Sequence, residues 1–281
     1  VDAGPDAQSG DGQNAKAKEA TMTLTRHHLR HEHEISTGAR PVGATTEQAA
    51  AANVQQMFDA IAPRYDLLNH MLSVGLDRWW WSRAARSFRA ILTRPEARIL
   101  DLCCGTGDMT MALLKYRPVG VGESPLIAVD FSHEMLERGK RKFKGHNIVA
   151  IEADALSLPF ENNTLALVTS AFGFRNLANY EDGLAELYRV LHSGGQIGIL
   201  DCNQPEGAVG SLYNLYFKMI LPWIGGKISG DSTAYRYLPA SVERFPRPRR
   251  MLEMISAAGF RDASWTGYTF GTAGLYRATK P

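Results

Sequence analysis

The sequence predicts a doubly wound α/β fold, and three observations carry that expectation. From residue 98 onward, short apolar runs alternate with amphipathic segments of helical period. The first apolar run empties into a loop holding Gly105 and Gly107 that opens a helix, and the chain closes on two alternating stretches joined by Gly271-Thr272. Strand–helix alternation implies parallel βαβ units, and the closing pair implies an antiparallel hairpin. The expected architecture is therefore Rossmann-like: a seven-stranded, mostly parallel sheet with a C-terminal antiparallel hairpin and a helical N-terminal cap.

Taken in order, the first aromatic residue is Phe58, and what precedes it is built from Ala, Gly, Asp, Gln, Thr, His and a few charges. Such a segment buries too little to offset its ordering entropy, so residues 1–46 are expected to be a disordered tail without the apolar core of a signal peptide. Its His27, His28, His31 and His33 lack any completing Cys or Asp and read as solvated rather than as a metal site. A single folded body is then expected over 47–281. Within it, 47–94 form the cap, where Val54, Met57, Phe58 and Ile61 and then Trp80, Ala84, Phe88 and Ile91 recur at helical spacing. Strands are expected at 98–103, 126–131, 148–152, 165–172, 196–201, 263–270 and 273–278. A substrate-side insertion spans 205–245 and contains the apolar helical segment Leu212 to Ile224.

Composition sets the outer limits. With 281 residues, 44% hydrophobic and 21% charged, the chain can bury one sizeable core. A net charge of +2 argues against a nucleic-acid partner, which calls for a concentrated basic surface. Three cysteines, Cys103, Cys104 and Cys202, make neither a disulfide framework nor a four-thiolate zinc site, and a reducing cytoplasm is the expected compartment. No apolar run approaches the roughly 18–20 residues that span a bilayer.

The chemistry concentrates at the strand ends. In Arg98-Ile-Leu-Asp-Leu-Cys-Cys-Gly-Thr-Gly-Asp108 the glycines let backbone approach a ligand closely. A dinucleotide fold would want a third glycine at position 110, which is Thr110. Asp101 and Asp108 flank the loop; carboxylates repel a phosphate and attract a ligand bearing an amino group and a sulfonium, so the loop suits S-adenosylmethionine better than NAD. Asp130 ends the second strand, where an acid accepts both ribose hydroxyls. Asp154 ends the third, placed to accept from an adenine amino group, with Ala155 supplying backbone. One acid at a strand end is commonly a turn or cap residue; three in order on consecutive βα units point to a cofactor. Cys103 and Cys104 read as strand-end packing, and the Trp79-Trp80-Trp81 run reads as core on at least one side, with an interfacial anchor as the other reading.

Three further stretches give the chain a resemblance over nearly all of residues 52–280. Met57-Phe-Asp-Ala-Ile-Ala-Pro-Arg-Tyr-Asp66 with Asn69 and Leu72-Ser73-x-Gly75, Phe172-Gly-Phe-Arg-Asn176, and Ala234-Tyr-Arg-Tyr-Leu-Pro-x-Ser241 with Phe245-Pro246 resemble the motifs of the C-methyltransferases of ubiquinone and menaquinone biosynthesis. These belong to the class I S-adenosylmethionine-dependent methyltransferases. The resemblance implies cofactor contacts at Thr106, in its loop with Gly105 and Gly107, and at Asp130, Asp154 and Ala155. Where some members carry a contacting serine this chain has Ala171, and Ser170 is the neighbouring candidate.

The implied reaction is C-methylation of a reduced polyprenyl quinone, naphthoquinol or benzoquinol, with Arg175, Asn176 and Tyr235 supplying charge or donors to the developing phenolate. The proton acceptor stays open among Tyr65, His70, Asp231 and an arginine-held water. Arg175 itself reads as a substrate residue or as half of a structural ion pair. A bilayer-resident substrate implies peripheral contact with the inner face of a membrane, and a homodimer stays open. The competing expectations are methylation of another phenol, sterol or lipid, and a non-catalytic scaffold in a quinone-biosynthesis assembly.

Overall fold

The computed structural model describes residues 37–73, 75–117, 124–205, 210 and 233–281. The cap opens with α1 (Glu47–Ile61), where the Thr46 side chain accepts from the Ala49 N–H, satisfying one of the orphan amides of the first turn. Pro63 falls in a 3-10 turn, after which α2 (Tyr65–Leu72) begins. The helical spacings noted in the sequence do not mark α2; Pro63 sits near the start of the 3-10 turn Ala62–Arg64, where its missing N–H costs nothing, and the chain runs on from there into α2. Helices α3 (Asp77–Ser87) and α4 (Arg89–Leu92) follow, and Trp80, Ala84, Phe88 and Ile91 are all buried, as their spacing requires.

The body then alternates: β1 (Ile99–Leu102), α5 (Asp108–Lys115), β2 (Leu126–Asp130), α6 (His133–Phe143), β3 (Ile148–Glu152), β4 (Leu165–Ala171), α7 (Tyr180–Val190) and β5 (Leu191–Cys202). Helices α8 (Thr233–Arg244) and α9 (Pro248–Ala257) lead to β6 (Arg261–Tyr268) and β7 (Ala273–Thr279). One seven-stranded sheet results, in the order β3-β2-β1-β4-β5-β7-β6, parallel except for β7, which runs antiparallel between β5 and β6. The reversal of strand order between β1 and β4 leaves a crevice at their carboxyl ends, the place where such sheets bind ligands.

Strands β1, β2 and β4 are buried on both faces, which explains their continuous apolar runs. One core lies under α7 and α9, with Phe174, Tyr180 and Tyr276 fully buried; the other lies under α3 and α5, with Phe88, Ile99 and Leu113. Of the tail expected to reach residue 46, residues 37–46 are described, and part of that stretch is docked. Ala39 is buried and donates its N–H to the Leu177 carbonyl at 2.7 Å. A Cβ on Gly38 would stand 2.0 Å from the Ala178 carbonyl oxygen, so small residues allow this close approach. The histidine cluster and the Leu212 to Ile224 segment lie outside the described residues.

The cap meets the sheet most tightly where Phe88 covers Gly198 on β5: a Cβ there would lie 2.4 Å from the Phe88 ring, which is fully buried and has nowhere to retreat. Gly198→Ala is therefore expected to cost about 1–3 kcal/mol by overpacking, read as a lowered urea midpoint at unchanged slope.

Candidate active site

Four strand ends converge on a partly open cavity. Its floor is Leu102, Cys103 and Gly105 after β1 and Asp130 after β2. One side is Ala153-Asp154-Ala155 after β3; the opposite side is Phe172, Gly173 and Asn176 after β4; the cap closes it with Ala51, Phe58 and Tyr65. A smaller recess adjoins it, lined by Tyr65, Asn69, Trp81, Thr106 and Asp108, and shares Tyr65, Cys103, Gly105 and Phe172 with the main cavity.

The loop is shaped by left-handed backbone at Gly105 (φ 54) and Gly107 (φ 88), and also at Cys103 (φ 53). Phe172 on the opposite strand end is left-handed too (φ 58), with its carbonyl taken by the Arg175 guanidinium and, at 3.4 Å, by the Asn176 amide. Non-glycine residues persist in that region only where surroundings hold them. Gly173 is required beside them, since a Cβ there would stand 2.3 Å from the Cys103 Cβ.

Asp130 accepts from Gly105 N–H at 2.7 Å and from Ser132 N–H at 2.9 Å. Burial penalises its charged form against those bonds and holds it up at about 6. Asp154 is exposed, lines the cavity and accepts from Leu156 N–H at 2.9 Å; Ala155 is buried beside it. Asp101 lies beneath the loop, fully buried, accepting from Thr110 at 2.6 Å and Thr169 at 3.0 Å, and burial pushes it up to about 7. Asp101 and Ser170, itself buried on β4, do not line either space. Burial pushes the Cys103 and Cys104 thiols well above the ordinary range and Cys202 up to about 12, so none is a ready thiolate.

The four reaction candidates separate. Tyr65 and Asn176 face the main cavity. Burial raises Tyr65, against a hydrogen bond with Asn69 and the nearby Arg175 charge, so its hydroxyl stays protonated as a donor. Arg175 is only 5% exposed, ion-pairs with Asp201 at 2.8 Å and lies behind the lining rather than in it. Asp201 also accepts the Arg175 backbone N–H at 3.0 Å. Burial alone would disfavour the guanidinium cation; Asp201 outweighs it. The Arg175 Nε is buried without a hydrogen-bond partner among the described residues. The side chain of Tyr235, and Asp231 altogether, lie outside the described residues; the neighbouring Tyr237 donates to Asn176 Oδ1 at 3.1 Å. His70 is held by Asp77 at 2.5 Å. Trp79 is half exposed, whereas Trp80 and Trp81 are buried.

Sequence reasoning missed Asp201, Tyr237, Lys142 and the apolar wall residues Phe58, Phe131, Met135 and Phe172. Asp201 carried a readable signal, an acid at the end of a buried strand; Tyr237 sat inside a quoted motif, two residues from the one chosen.

The surroundings test whether S-adenosylmethionine fits. Acids line the main cavity, while the nearby cations are engaged elsewhere, Arg175 by Asp201 and Lys142 by Asp66 and Asp108. Asp108 also occupies the first turn of α5, where a phosphate would otherwise be drawn. A ligand with ribose hydroxyls and a cationic amino-acid end suits this lining; a pyrophosphate does not.

Comparison with known proteins agrees with that chemistry. The model of the ubiE/COQ5 methyltransferase family matches residues 45–280. The chain belongs to that family. It is 46% identical over 228 residues to a demethylmenaquinone methyltransferase of Thermus thermophilus, covering 80% of this chain and all of that one. It is 38% identical to a ubiquinone/menaquinone biosynthesis C-methyltransferase of Geotalea daltonii, over 81% of this chain and 96% of that one. Among solved structures, a SAM-dependent methyltransferase of Thermotoga maritima described as a possible histamine N-methyltransferase superposes with a TM-score of 0.57 at 16% identity, over 81% of this chain and all of that one, which shows the shared fold.

Removing the Asp201 carboxylate would leave the Arg175 charge buried and uncompensated. Asp201→Ala is expected to lower stability by about 3–5 kcal/mol, measured by equilibrium denaturation. Arg175→Ala should lose stability as well, so its effect on rate has to be read per folded molecule.

Proposed function

We propose that this chain transfers a methyl group from S-adenosylmethionine to a ring carbon of a reduced polyprenyl quinone, with demethylmenaquinol as substrate. The observation that carries the reading is that one cavity joins the Asp130 and Asp154-Ala155 strand ends to Tyr65 and Asn176, from two of the three family motifs. The naphthoquinol is preferred to a benzoquinol because the Thermus relative bears that name at 46% identity. The catalytic body is read as residues 37–281, since residues 37–40 dock on Leu177 and Ala178 at the cavity wall.

Asp130 would hold the ribose diol, Asp154 and Ala155 the adenine, and Gly105, Thr106 and Gly107 the amino-acid end. When bound, S-adenosylmethionine supplies a methyl group already activated by its sulfonium. The chain's task is to orient the quinol ring and favour its electron-rich form. Tyr65, kept protonated by burial, donates toward the ring oxygen. Asn176, its carbonyl occupied by Tyr237, presents its amide as a second donor. Arg175 contributes positive charge from behind the wall, fixed by Asp201. Phe58, Phe131, Met135 and Phe172 exclude water and receive the apolar ring. With a bilayer-resident substrate, peripheral contact with a membrane surface is part of this reading; no helix among the described residues is long and apolar enough to cross one.

The test is transfer of labelled methyl to short-chain quinols under reducing conditions. Label is expected on demethylmenaquinol, less on the benzoquinol and none on the oxidised quinone. Label on an unrelated phenol, sterol or lipid alone would favour the broader methyltransferase reading, and binding of the cofactor with no transfer would favour a scaffold.

The pH dependence follows from Asp130. Its hydrogen bonds to ribose hydroxyls favour the ionised form, and its value in the free protein is about 6. Cofactor affinity should rise by up to roughly tenfold from pH 5 to 7.5 and then level, as read by calorimetry. Stability of the free protein should move oppositely. Asp130 and Asp101, at about 6 and about 7, are both raised from 3.8, so their contribution is full below about pH 4 and lost as pH rises through 6 to 7.

A further inference from the structure

The ammonium of Lys142, on the last turn of α6, is shared among three other parts of the chain. It donates to Asp66 Oδ2 at 2.8 Å, to Asp108 Oδ1 at 2.8 Å and to Thr106 Oγ1 at 3.1 Å. An ammonium has three N–H groups. Each is spent on one acceptor: one on α2 of the cap, one on the first turn of α5, one on the glycine loop. The Thr106 hydroxyl in turn donates to the other oxygen of Asp66 at 2.5 Å, so the cap carboxylate is gripped on both sides. Burial pushes Asp66 up, yet the bonds from Lys142 and Thr106 outweigh it and hold the group below the usual carboxylate range.

Two further bonds join the cap to the residues after Asp130: Ser132 donates to Asp59 at 2.5 Å, and Gln55 donates to the Phe131 carbonyl at 2.6 Å. Ala51, Phe58 and Tyr65 form one wall of the cavity and all lie on α1 and α2, so that wall opens only if this part of the cap lifts while α3 and α4 stay packed in the core. Among these ties the Lys142 cluster alone is ionic, and it is only partly shielded, with side-chain exposures of 32% for Lys142, 38% for Asp66 and 25% for Asp108.

We infer that Lys142 is a positioning residue that fastens the helical cap onto the glycine loop, and so sets how long a ligand is retained in the cavity, without itself touching the reacting atoms. The inference rests on the reading that the cavity takes S-adenosylmethionine. A Lys142→Met change would leave Asp66 and Asp108 facing one another with no cation between them, favouring the lifted cap. A partly exposed ionic network of this kind is also screened by salt, which a purely apolar lid would not be.

The experiment measures release of S-adenosylhomocysteine from the full chain by stopped-flow fluorescence, with calorimetric affinity, melting temperature and single-turnover methylation on the same preparations. Lys142→Met should release the product about two- to tenfold faster and raise KM for S-adenosylmethionine similarly, while the single-turnover rate at saturation stays within about twofold. Lys142→Arg should restore most of the retention. Combining Lys142→Met with Asp66→Asn should add little to either change alone, because both break one network. Added salt should speed release from the unsubstituted chain, slow it somewhat in Lys142→Met by screening the facing carboxylates, and have little effect on the double variant. Release at the original rate from Lys142→Met, with or without a lowered melting temperature, overturns the proposal and assigns Lys142 to fold stability. Failure of the unsubstituted chain to bind either ligand overturns the cofactor reading, and this proposal with it.

Discussion

Asp130 is nearly buried at the end of β2, at the cavity floor, and its two oxygens accept the Gly105 and Ser132 N–H groups. That pair of bonds fixes the geometry on either side. Toward β1 it draws the loop across the sheet edge, which needs the left-handed turn that Gly105 can adopt. Toward α6 it sets Ser132, whose hydroxyl accepts the Met135 N–H as an N-cap and donates to Asp59 of the cap. Loop, helix start and cap are thus registered on one carboxylate, and a ligand that also bonds to it meets a site already arranged. The cost is that a charge is kept in a buried place, which is why its ionisation lies near 6 rather than 4.

Three carboxylates are buried along the same sheet edge, each held differently. Asp101 is satisfied by the hydroxyls of Thr110 and Thr169, neutral donors that leave its charged form disfavoured. Asp130 has backbone N–H donors and faces the cavity. Asp201 has a full countercharge in Arg175. Only Asp130 both lines the cavity and lacks a cation, which suits it to the ribose-holding role proposed for it. Thr110 has a clear part in this. At the position where a dinucleotide fold would carry its third glycine, a hydroxyl reaches down to Asp101 and ties α5 to β1, and the helix is held by a hydrogen bond instead of by close backbone packing.

How much could be read from the sequence follows from how local each feature is. The βα units, the hairpin and the strand-end acids are set by short-range pattern, and the observed strand order places Asp130 and Asp154 together as their spacing implies. Long-range pairing was not legible. Nothing near Arg175 in the chain reveals that Asp201, 26 residues on, neutralises it. Nor does the helical period of 133–143 single out Lys142, whose partners lie 34 to 76 positions away. The docking of Ala39 escaped for a related reason: a segment with no large apolar residue can still be ordered when backbone hydrogen bonds and the absence of a Cβ do the work. Tyr237 was passed over because a motif names a neighbourhood, while a hydrogen bond to Asn176, 61 positions away, is set by the fold.

The two sides of the cavity carry different kinds of information. On the proposed reading the adenosine would lie against the side built mainly from strand ends of the sheet, and the sheet is the part of the fold shared with a structure at 16% identity. The opposite side is assembled from elements outside the sheet: Phe58 and Tyr65 from the cap, Phe172 and Asn176 from the turn after β4, and Tyr237 from α8, which steadies Asn176. These are the stretches in which the three narrower motifs lie. On the proposed reading the acceptor therefore meets the cap, α8 and the β4 turn rather than the sheet. Tyr65, Phe172 and Asn176 stand there, with Phe172 held in left-handed backbone and the Arg175–Asp201 pair beneath it, so that one arrangement of this wall is fixed before any ligand enters.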